Sequence, residues 1–330
     1  MKNVSILIPN GNFSLVNVAG THQMLSWVNE FLEQEGKEPL FRLQYVGASK
    51  VVPGPDSIFH VQPDLYLDDV ESTDLIILPA VHGDILYSLN QNAELIPWLV
   101  SHYRKGAEIA SLCIGTFILA ATGLLDGKTC STHWFYANEF RRLYPRVTLA
   151  DHKILTEAEG IYTSGGAYSF TNLMIYLTEK FAGREAAVHS AKAFMIDIDR
   201  TQQSPFIIFA GQKAHQDQLV LHAQEYIEKN FSEKITIEEL ASLMQIGRRT
   251  FERRFKRATA NTVAGYIQRV KMEAAKKQLE SEQKTVSEVM YDVGYNDVKA
   301  FRDVFRKVTG MSPLGYRNKY YKEMILDRIN

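Results

Sequence analysis

Two sets of side chains in this sequence are of types that do chemistry. The first is a thiol. Ser111-Leu112-Cys113-Ile114-Gly115 closes the apolar run Glu108 to Leu112 and opens an apolar helical stretch from Ile114 to Ala121. This is the small-x-nucleophile-x-Gly spacing of a strand-to-helix elbow, in which a sharp turn holds the nucleophile and Gly lets the backbone fold tightly. A thiol at a helix N-terminus is expected to have its thiolate stabilised by free N–H groups and the helix dipole. His133 is the remaining candidate for a base beside it. The second set is cationic: Arg249, Arg253, Lys256 and Arg257, and again Lys299, Arg302, Arg306 and Lys307. At helical spacing these make basic faces suited to a major groove, where Arg or Lys reaches guanine O6 and N7 while further cations meet phosphates.

The elements that must carry the cations repeat. Phe251 and Phe255 recur fifty positions later as Phe301 and Phe305, Thr259 as Thr309, and Gly265-Tyr266 as Gly315-Tyr316. Thr236 and Glu239 recur as Thr285 and Glu288 at a spacing of 49, so the second copy is one residue shorter near its turn. Val286, Val289, Met290 and Val293 follow the i, i+3, i+4, i+7 pattern, Gly294 breaks the helix, and Phe301, Val304, Phe305 and Val308 form a second stripe. Two amphipathic helices around a Gly turn predict a helix-turn-helix, here in tandem. The apolar stripes leave Arg249, Glu252, Arg253, Lys256 and Arg257 outward in one copy, and Lys299, Arg302, Asp303, Arg306 and Lys307 outward in the other. Arg249, Glu252, Arg253, Lys299, Arg302 and Asp303 are expected to read bases; Lys256, Arg257, Arg306 and Lys307 are expected to meet phosphates.

The segment from Ile237-Glu238-Glu239-Leu240-Ala241 through Arg249 to Lys256, Arg269-Val270-Lys271-Met272, Val293-Gly294-Tyr295 and Gly310-Met311-Ser312-Pro313 to Tyr316-Arg317 resembles the AraC/XylS family of transcription regulators. The resemblance implies two helix-turn-helix units bridged by one long helix and docked in successive major grooves. Gly247 stands where the family often has a Ser N-cap, which weakens that helix start. Asp303 replaces a frequent Arg and suits an acceptor for cytosine N4–H.

A net charge of −1 over 330 residues hides a polarised chain. Residues 213–330 hold 22 Lys and Arg against 16 Asp and Glu, and residues 1–212 hold 15 against 22. A basic module carried by an acidic one fits DNA binding at one end. Two cysteines make no disulfide framework and suggest a reducing cytoplasm. No targeting segment is visible, and the uncharged run Ile109 to Leu125, broken by Ser111, Gly115, Thr116, Thr122 and Gly123, reads as a buried strand and helix rather than a membrane span. His152, His189, His215 and His222 lack metal-ligand spacing, and no Gly-rich loop cradles a phosphate, so neither metal nor cofactor is expected.

The first two hundred residues alternate in an α/β manner, with buried-strand runs at Val4 to Pro9 and Asp74 to Leu78 and a helical pattern at Met24 to Glu35. From the elbow through Leu119-Ala120-Ala121-Thr122-Gly123-Leu124-Leu125-Asp126-Gly127-Lys128 to Thr132-His133-Trp134, with Thr163-Ser164-Gly165-Gly166-Ala167, the chain is similar to the PfpI-type branch of the glutamine amidotransferase-like superfamily. That resemblance implies an α/β flavodoxin-like sandwich with a cleft beside the Cys. Enzymes of the superfamily need an acidic partner and a polar group beside the thiol; here those positions are Asn17 and Ile114, and neither can accept a proton as a carboxylate does. Asn17, His82, Cys113, Ile114 and His133 are therefore expected to line a ligand cleft, His82 because it lies past a strand end.

The expected architecture is an α/β sandwich at 1–195, a linker at 196–214 with a polar hinge from Arg200 to Pro205, and an all-α tandem helix-turn-helix domain at 215–330 opening with a helix from His215 to Asn230. The expected function is a homodimeric regulator of promoter DNA answering a small-molecule effector. The competing readings are a Cys113-dependent hydrolase or hydratase with a DNA-binding tail, and a first half that only dimerises.

Overall fold

In a computed structural model, which describes residues 1–48, 61–213, 215–281 and 284–321, the apolar runs become strands of a sheet covered on both faces. In β1 (Lys2–Ile8), Val4, Ile6 and Ile8 face one core and Leu7 the other; in β4 (Leu75–Leu78), Leu75 and Ile77 face the first core, Ile76 and Leu78 the second. Double burial is why these strands lack the alternation of a half-exposed sheet. The remaining strands are β2 (Phe41–Gly47), β3 (Leu65–Tyr66), β5 (Glu108–Leu112), β6 (Thr129–Cys130), β7 (Thr148–Leu149), β8 (Leu155–Ala158) and β9 (Ile161–Ser164). The main sheet has seven strands in the order β3-β2-β1-β4-β5-β9-β8, parallel except for the β8–β9 pair; β6 and β7 form a separate parallel pair. This is the flavodoxin-like sandwich expected.

One face is covered by α1 (Leu15–Gln34), α6 (Phe170–Ala182) and α7 (Arg184–Ala193), the other by α2 (Ile85–Gln91), α3 (Leu95–Arg104), α4 (Thr116–Ala121) and α5 (Ala137–Leu143). Helix α1 begins well before the expected Met24, because Ser14 caps it by accepting from the Asn17 N–H at 3.3 Å. Gly20 belongs to this early part. A Cβ there would fall 2.7 Å from the Phe170 ring, so the glycine lets α1 and α6 pack closely. The apolar run Ile109 to Leu125 divides into β5, a turn and α4, and no helix among the described residues is long and apolar enough to cross a membrane.

The chain separates into two compact units, Met1–Gln203 and Ser204–Asn330. The boundary falls inside the segment expected to be a linker, and both of its ends are packed. Ile196 and Ile198 lie against the first unit's core, and Gln203 is 1% exposed there. Phe209 packs in the core of the second unit. Position 214, the expected end of the linker, and 322–330, the end of the expected DNA-binding domain, lie outside the described residues.

The second unit is helical: α8 (Gln218–Lys229), α9 (Ile237–Leu243), α10 (Arg248–Thr259), α11 (Val263–Ser281), α12 (Val286–Asp292), α13 (Val298–Thr309) and α14 (Pro313–Tyr320). Helix α8 starts at Gln218 rather than His215 because Asp217 is its cap, accepting from the Val220 N–H at 3.2 Å. The repeated Thr and Glu residues form capping boxes. Glu239 N–H donates to Thr236 Oγ1 at 3.2 Å and Thr236 N–H to Glu239 Oε2 at 2.9 Å; Thr285 and Glu288 do the same at 3.2 and 2.6 Å. Each helix pair encloses its own core: Phe251 and Phe255 in one, Phe301 and Phe305 in the other, all with no exposure. Truncating any of these to Ala would cost about 3–5 kcal/mol. Helix α11 supplies Tyr266 to the first core and Met272, Ala275 and Leu279 to the second.

Candidate functional site

Burying the Phe pairs decides what α10 and α13 present outward. On α10, Arg249, Arg253, Lys256 and Arg257 are exposed, and none pairs with another described side chain. On α13 the same holds for Lys299, Arg302, Asp303, Arg306 and Lys307. Glu252 is different: Arg248 Nε lies 3.7 Å from its carboxylate, one helical turn away, and Arg248 also pairs with Glu238. Arg254 lies at the edge of the α10 face, half-exposed, where its Nε donates to Asp217 Oδ2 at 2.5 Å and ties α10 to α8. The start of α10 at Gly247 has no side-chain cap, whereas Asp297 caps α13 by accepting from the Ala300 N–H at 2.6 Å.

The two helix pairs are joined by a buried lysine. Lys271 of α11 is 7% exposed, and its Nζ donates to Val293 O at 3.1 Å and Glu233 O at 3.2 Å. The first carbonyl closes α12 and the second precedes α9, so one ammonium spans both helix pairs of the second unit. Burial pushes its pKa down. Lys271 escaped the sequence reading because only its place in the AraC-like motif was visible there.

In the other half, Cys113 sits on the elbow with φ 55°, a left-handed conformation rare for a side-chain-bearing residue and common at strained functional turns. Gly115 is required by proximity: a Cβ there would lie 2.5 Å from Pro79 O. The Cys113 carbonyl accepts from Thr116 Oγ1 at 3.0 Å and Thr132 Oγ1 at 2.9 Å. Burial opposes the thiolate stabilisation expected from the helix terminus. Cys113 is 5% exposed, and burial pushes its thiol up to about 12, outweighing the opposing backbone hydrogen bond at Ile114. The turn after Cys113 is 3-10, and α4 begins only at Thr116.

The expected cleft residues are distributed around this turn. Asn17, Cys113 and Ile114 are buried. Asn17 Oδ1 accepts from Ala80 N–H at 3.2 Å, next to the Pro79 carbonyl that crowds Gly115, while its Nδ2 has no hydrogen-bond partner among the described residues. His82 is exposed on the loop after β4, its N–H donating to Asn12 O at 2.7 Å. His133 follows Thr132, and its Nδ1 accepts from Phe135 N–H at 3.2 Å. Partial desolvation lowers the pKa of the half-buried His133 imidazole and, although the His82 residue is exposed as a whole, of its ring as well. Among the described residues no hydrogen bond links either ring to Cys113. A cavity of about 470 Å³ opens elsewhere, at the ends of β2 and β3, among Ala48, Tyr66, Asp68, Glu94 and Trp98. Its lining comes from separate chain segments with no shared spacing, so no sequence signal marked it.

Comparison with known proteins gives the same two parts. Residues 240–319 match the helix-turn-helix domain family and residues 40–180 the DJ-1/PfpI family. The chain is 24% identical over 308 residues to the HTH-type transcriptional regulator GbdR of Pseudomonas aeruginosa, covering 92% of this chain and 80% of that one. It is 20% identical over 217 residues to the HTH-type transcriptional regulator GlxA of Rhizobium meliloti, covering 66% and 67%. A transcriptional regulator structure from Vibrio parahaemolyticus, 24% identical, superposes with a TM-score of 0.52 over 58% of this chain and 98% of that one. That last likeness concerns the fold.

Proposed function

This chain is a helix-turn-helix transcriptional regulator with a DJ-1/PfpI domain ahead of an AraC-type DNA-binding domain, and from that premise we propose how its halves act. The second unit lays α10 and α13 in successive major grooves of promoter DNA. Arg249, Glu252, Arg253, Lys299, Arg302 and Asp303 read base edges, and Lys256, Arg257, Arg306 and Lys307 hold phosphates. The observation that carries this reading is the pair of outward cationic faces, on equivalent helices of a repeat, whose Arg249, Arg253, Lys256 and Arg257, and Lys299, Arg302, Arg306 and Lys307, are unpaired among the described residues, while Arg248 and Arg254 beside them are paired. Glu252 reads a base only by leaving Arg248.

The first unit senses a small-molecule effector in the cytoplasm, with Asn17, His82, Cys113, Ile114 and His133 around its cleft, and the chain works as a homodimer. It is not an enzyme in this reading: a thiol held up near 12 and an Asn at the acidic position supply neither nucleophile nor base. The left-handed Cys113 backbone is the feature that favours a hydrolase or hydratase. A Cys113→Ala protein that keeps its full effector response removes that alternative.

The test of the DNA reading is selection of genomic fragments by the full-length protein at fixed near-physiological salt with competitor DNA. Discrete fragments sharing a motif are expected. On such a fragment Arg253→Ala should lose about 1–3 kcal/mol of specific affinity, whereas Arg306→Ala should weaken all sequences alike and reduce the salt slope by about one. Equal losses on specific and random DNA for both variants would remove Arg253 from base readout.

A further inference from the structure

Residues 204–213 were expected to be a plain linker, yet they are laid along the DNA-binding unit from one helix-turn-helix to the other. At the end nearer the second pair, Pro205 O accepts from Tyr320 Oη at 3.3 Å and Lys319 Nζ sits 4.8 Å over the Phe206 ring. In the middle, α11 grips the segment with a buried ion pair. Lys276 Nζ donates to Ile207 O at 2.5 Å and to Glu273 Oε2 at 2.7 Å, and that same carboxylate accepts from Phe209 N–H at 3.0 Å. The two side chains are only 4% and 12% exposed. Phe209 packs edge-on against Tyr266. At the end nearer the first pair, Gln212 O accepts from Gln224 Nε2 at 3.2 Å and Gln212 Oε1 from Asn261 Nδ2 at 2.8 Å. Gly211, at φ 67°, is needed there because a Cβ would fall 2.7 Å from Tyr266 Oη.

The residue just before this segment belongs to the other unit and is tied to its elbow. Gln203 N–H donates to His152 O at 2.8 Å, and its Nε2 to Thr132 O at 3.0 Å and Lys153 O at 3.2 Å. Thr132 in turn donates to the Cys113 carbonyl. Gln203 Oε1 is buried without a hydrogen-bond partner among the described residues, and a Cβ on Gly165 would fall 2.7 Å from the Gln203 amide. One peptide bond therefore separates a side chain that registers the Cys113 turn from a strap held by both helix-turn-helix units.

We propose that Gln203 and the 204–213 strap are the coupling element of this regulator: a change at the Cys113 turn that shifts Gln203 is passed through Ser204 to both helix pairs, with Glu273 and Lys276 as positioning residues. The proposal rests on the regulator reading above. A coupling between two sites is reciprocal, so DNA bound at α10 and α13 must alter the stability of the Gln203 contacts.

The experiment is amide hydrogen exchange on the full-length protein with and without its selected DNA fragment, binding being verified in the same sample. DNA is expected to change exchange at the Gln203 and Ile154 amides about five-fold or more; the latter donates to Thr201 O at 3.1 Å. A Gly-Ser insertion of roughly eight residues between Gln203 and Ser204 keeps every contact on both sides and is expected to abolish the change while DNA affinity persists. Glu273→Gln with Lys276→Met, which frees the strap without leaving a buried charge unpaired, is expected to do the same. Unchanged exchange in the wild-type protein on bound DNA would overturn the strap alone, as would a change that survives the insertion. Absence of any DNA binding overturns the regulator reading and the strap with it.

Discussion

In the first helix-turn-helix unit the turn is made by Gln245 at φ 55° and the second helix ends on Ala260 at φ 57°; in the other unit the same positions are Gly294 at 75° and Gly310 at 74°. The helices also begin differently, at an uncapped Gly247 and at Asp297, which caps. Val304, packed against the second core, stands where the first unit has Arg254 and its ion pair with Asp217. What the copies share is the apolar skeleton and the capping boxes, together with Thr259 and Thr309, whose hydroxyls donate to Phe255 O and Phe305 O at 2.9 and 2.8 Å. Core and helix starts are thus fixed by the fold, while turns and helix ends are solved locally. The first copy carries two left-handed side-chain residues, at about 1 kcal/mol each, and holds its helix to α8 by charge.

The largest way to break this comparison is at the turn. Gly294 is needed twice over, for its positive φ and because a Cβ would lie 2.1 Å from Ser232 O and 2.7 Å from Lys271 Nζ. Gly294→Ala should cost about 3 kcal/mol or more in denaturant unfolding, combining backbone strain with displacement of the Lys271 bridge. Its counterpart change, Gln245→Gly, should stabilise instead. If Gly294→Ala is near neutral, the two turns are interchangeable and the close approach is not a constraint.

A middle-sized effect lies in the ion pair. The Asp217 carboxyl is held below the usual range, first by the Arg254 hydrogen bond and then by the Val220 N–H. A depressed carboxylate contributes stability that is fully present above its unfolded pKa, about 3.9, and is lost as pH falls through the lower folded value. Glu239 and Glu288 are likewise depressed, mainly by the Thr N–H each accepts, but there is one in each copy. Below about pH 4 the first copy should therefore lose amide protection ahead of the second, by a modest margin because Arg254 is 39% exposed to screening solvent. Asp217→Asn should erase the difference. Equal acid sensitivity of the two copies in the wild-type protein would show that the tie contributes nothing.

The contrast between copies also marks how far the sequence could be read. Periodicity exposed the Phe pairs and both helix faces, and the repeat set Thr236 and Glu239 against Thr285 and Glu288, because these are local or repeated signals; that each pair closes a capping box emerged only in the fold. Gly294 was legible as a breaker, but its crowding by Ser232 comes from a segment sixty-two positions upstream. Arg254 was left out of the outward set, but nothing local pointed to its partner Asp217, thirty-seven positions upstream. The elbow spacing at Cys113 was correctly a strand-to-helix turn, yet the spacing says nothing of burial, which decides the thiol. The strap was hidden for a related reason: a polar stretch from Arg200 to Pro205 reads as exposed until Gln203 is seen sealed into one unit and Ile207 bound to a lysine of the other.

The smallest effect is the most direct measure of the difference in helix ends. Both α10 and α13 close with a left-handed residue whose N–H returns to a carbonyl four positions back, from Ala260 to Lys256 O at 2.9 Å and from Gly310 to Arg306 O at 2.8 Å. The geometry is shared, so exchanging the residues isolates the cost of a Cβ in the left-handed region. Ala260→Gly should raise stability by about 0.5–1 kcal/mol, reduced somewhat by the greater freedom glycine gives the unfolded chain, and Gly310→Ala should lower it by a similar amount. Thermal unfolding of the two variants tests this. Opposite shifts would mean that the first copy retains strain which the second has shed. Shifts of the same sign would mean that Ala260 is held by contacts beyond its own backbone, and that the two helix ends are not equivalent.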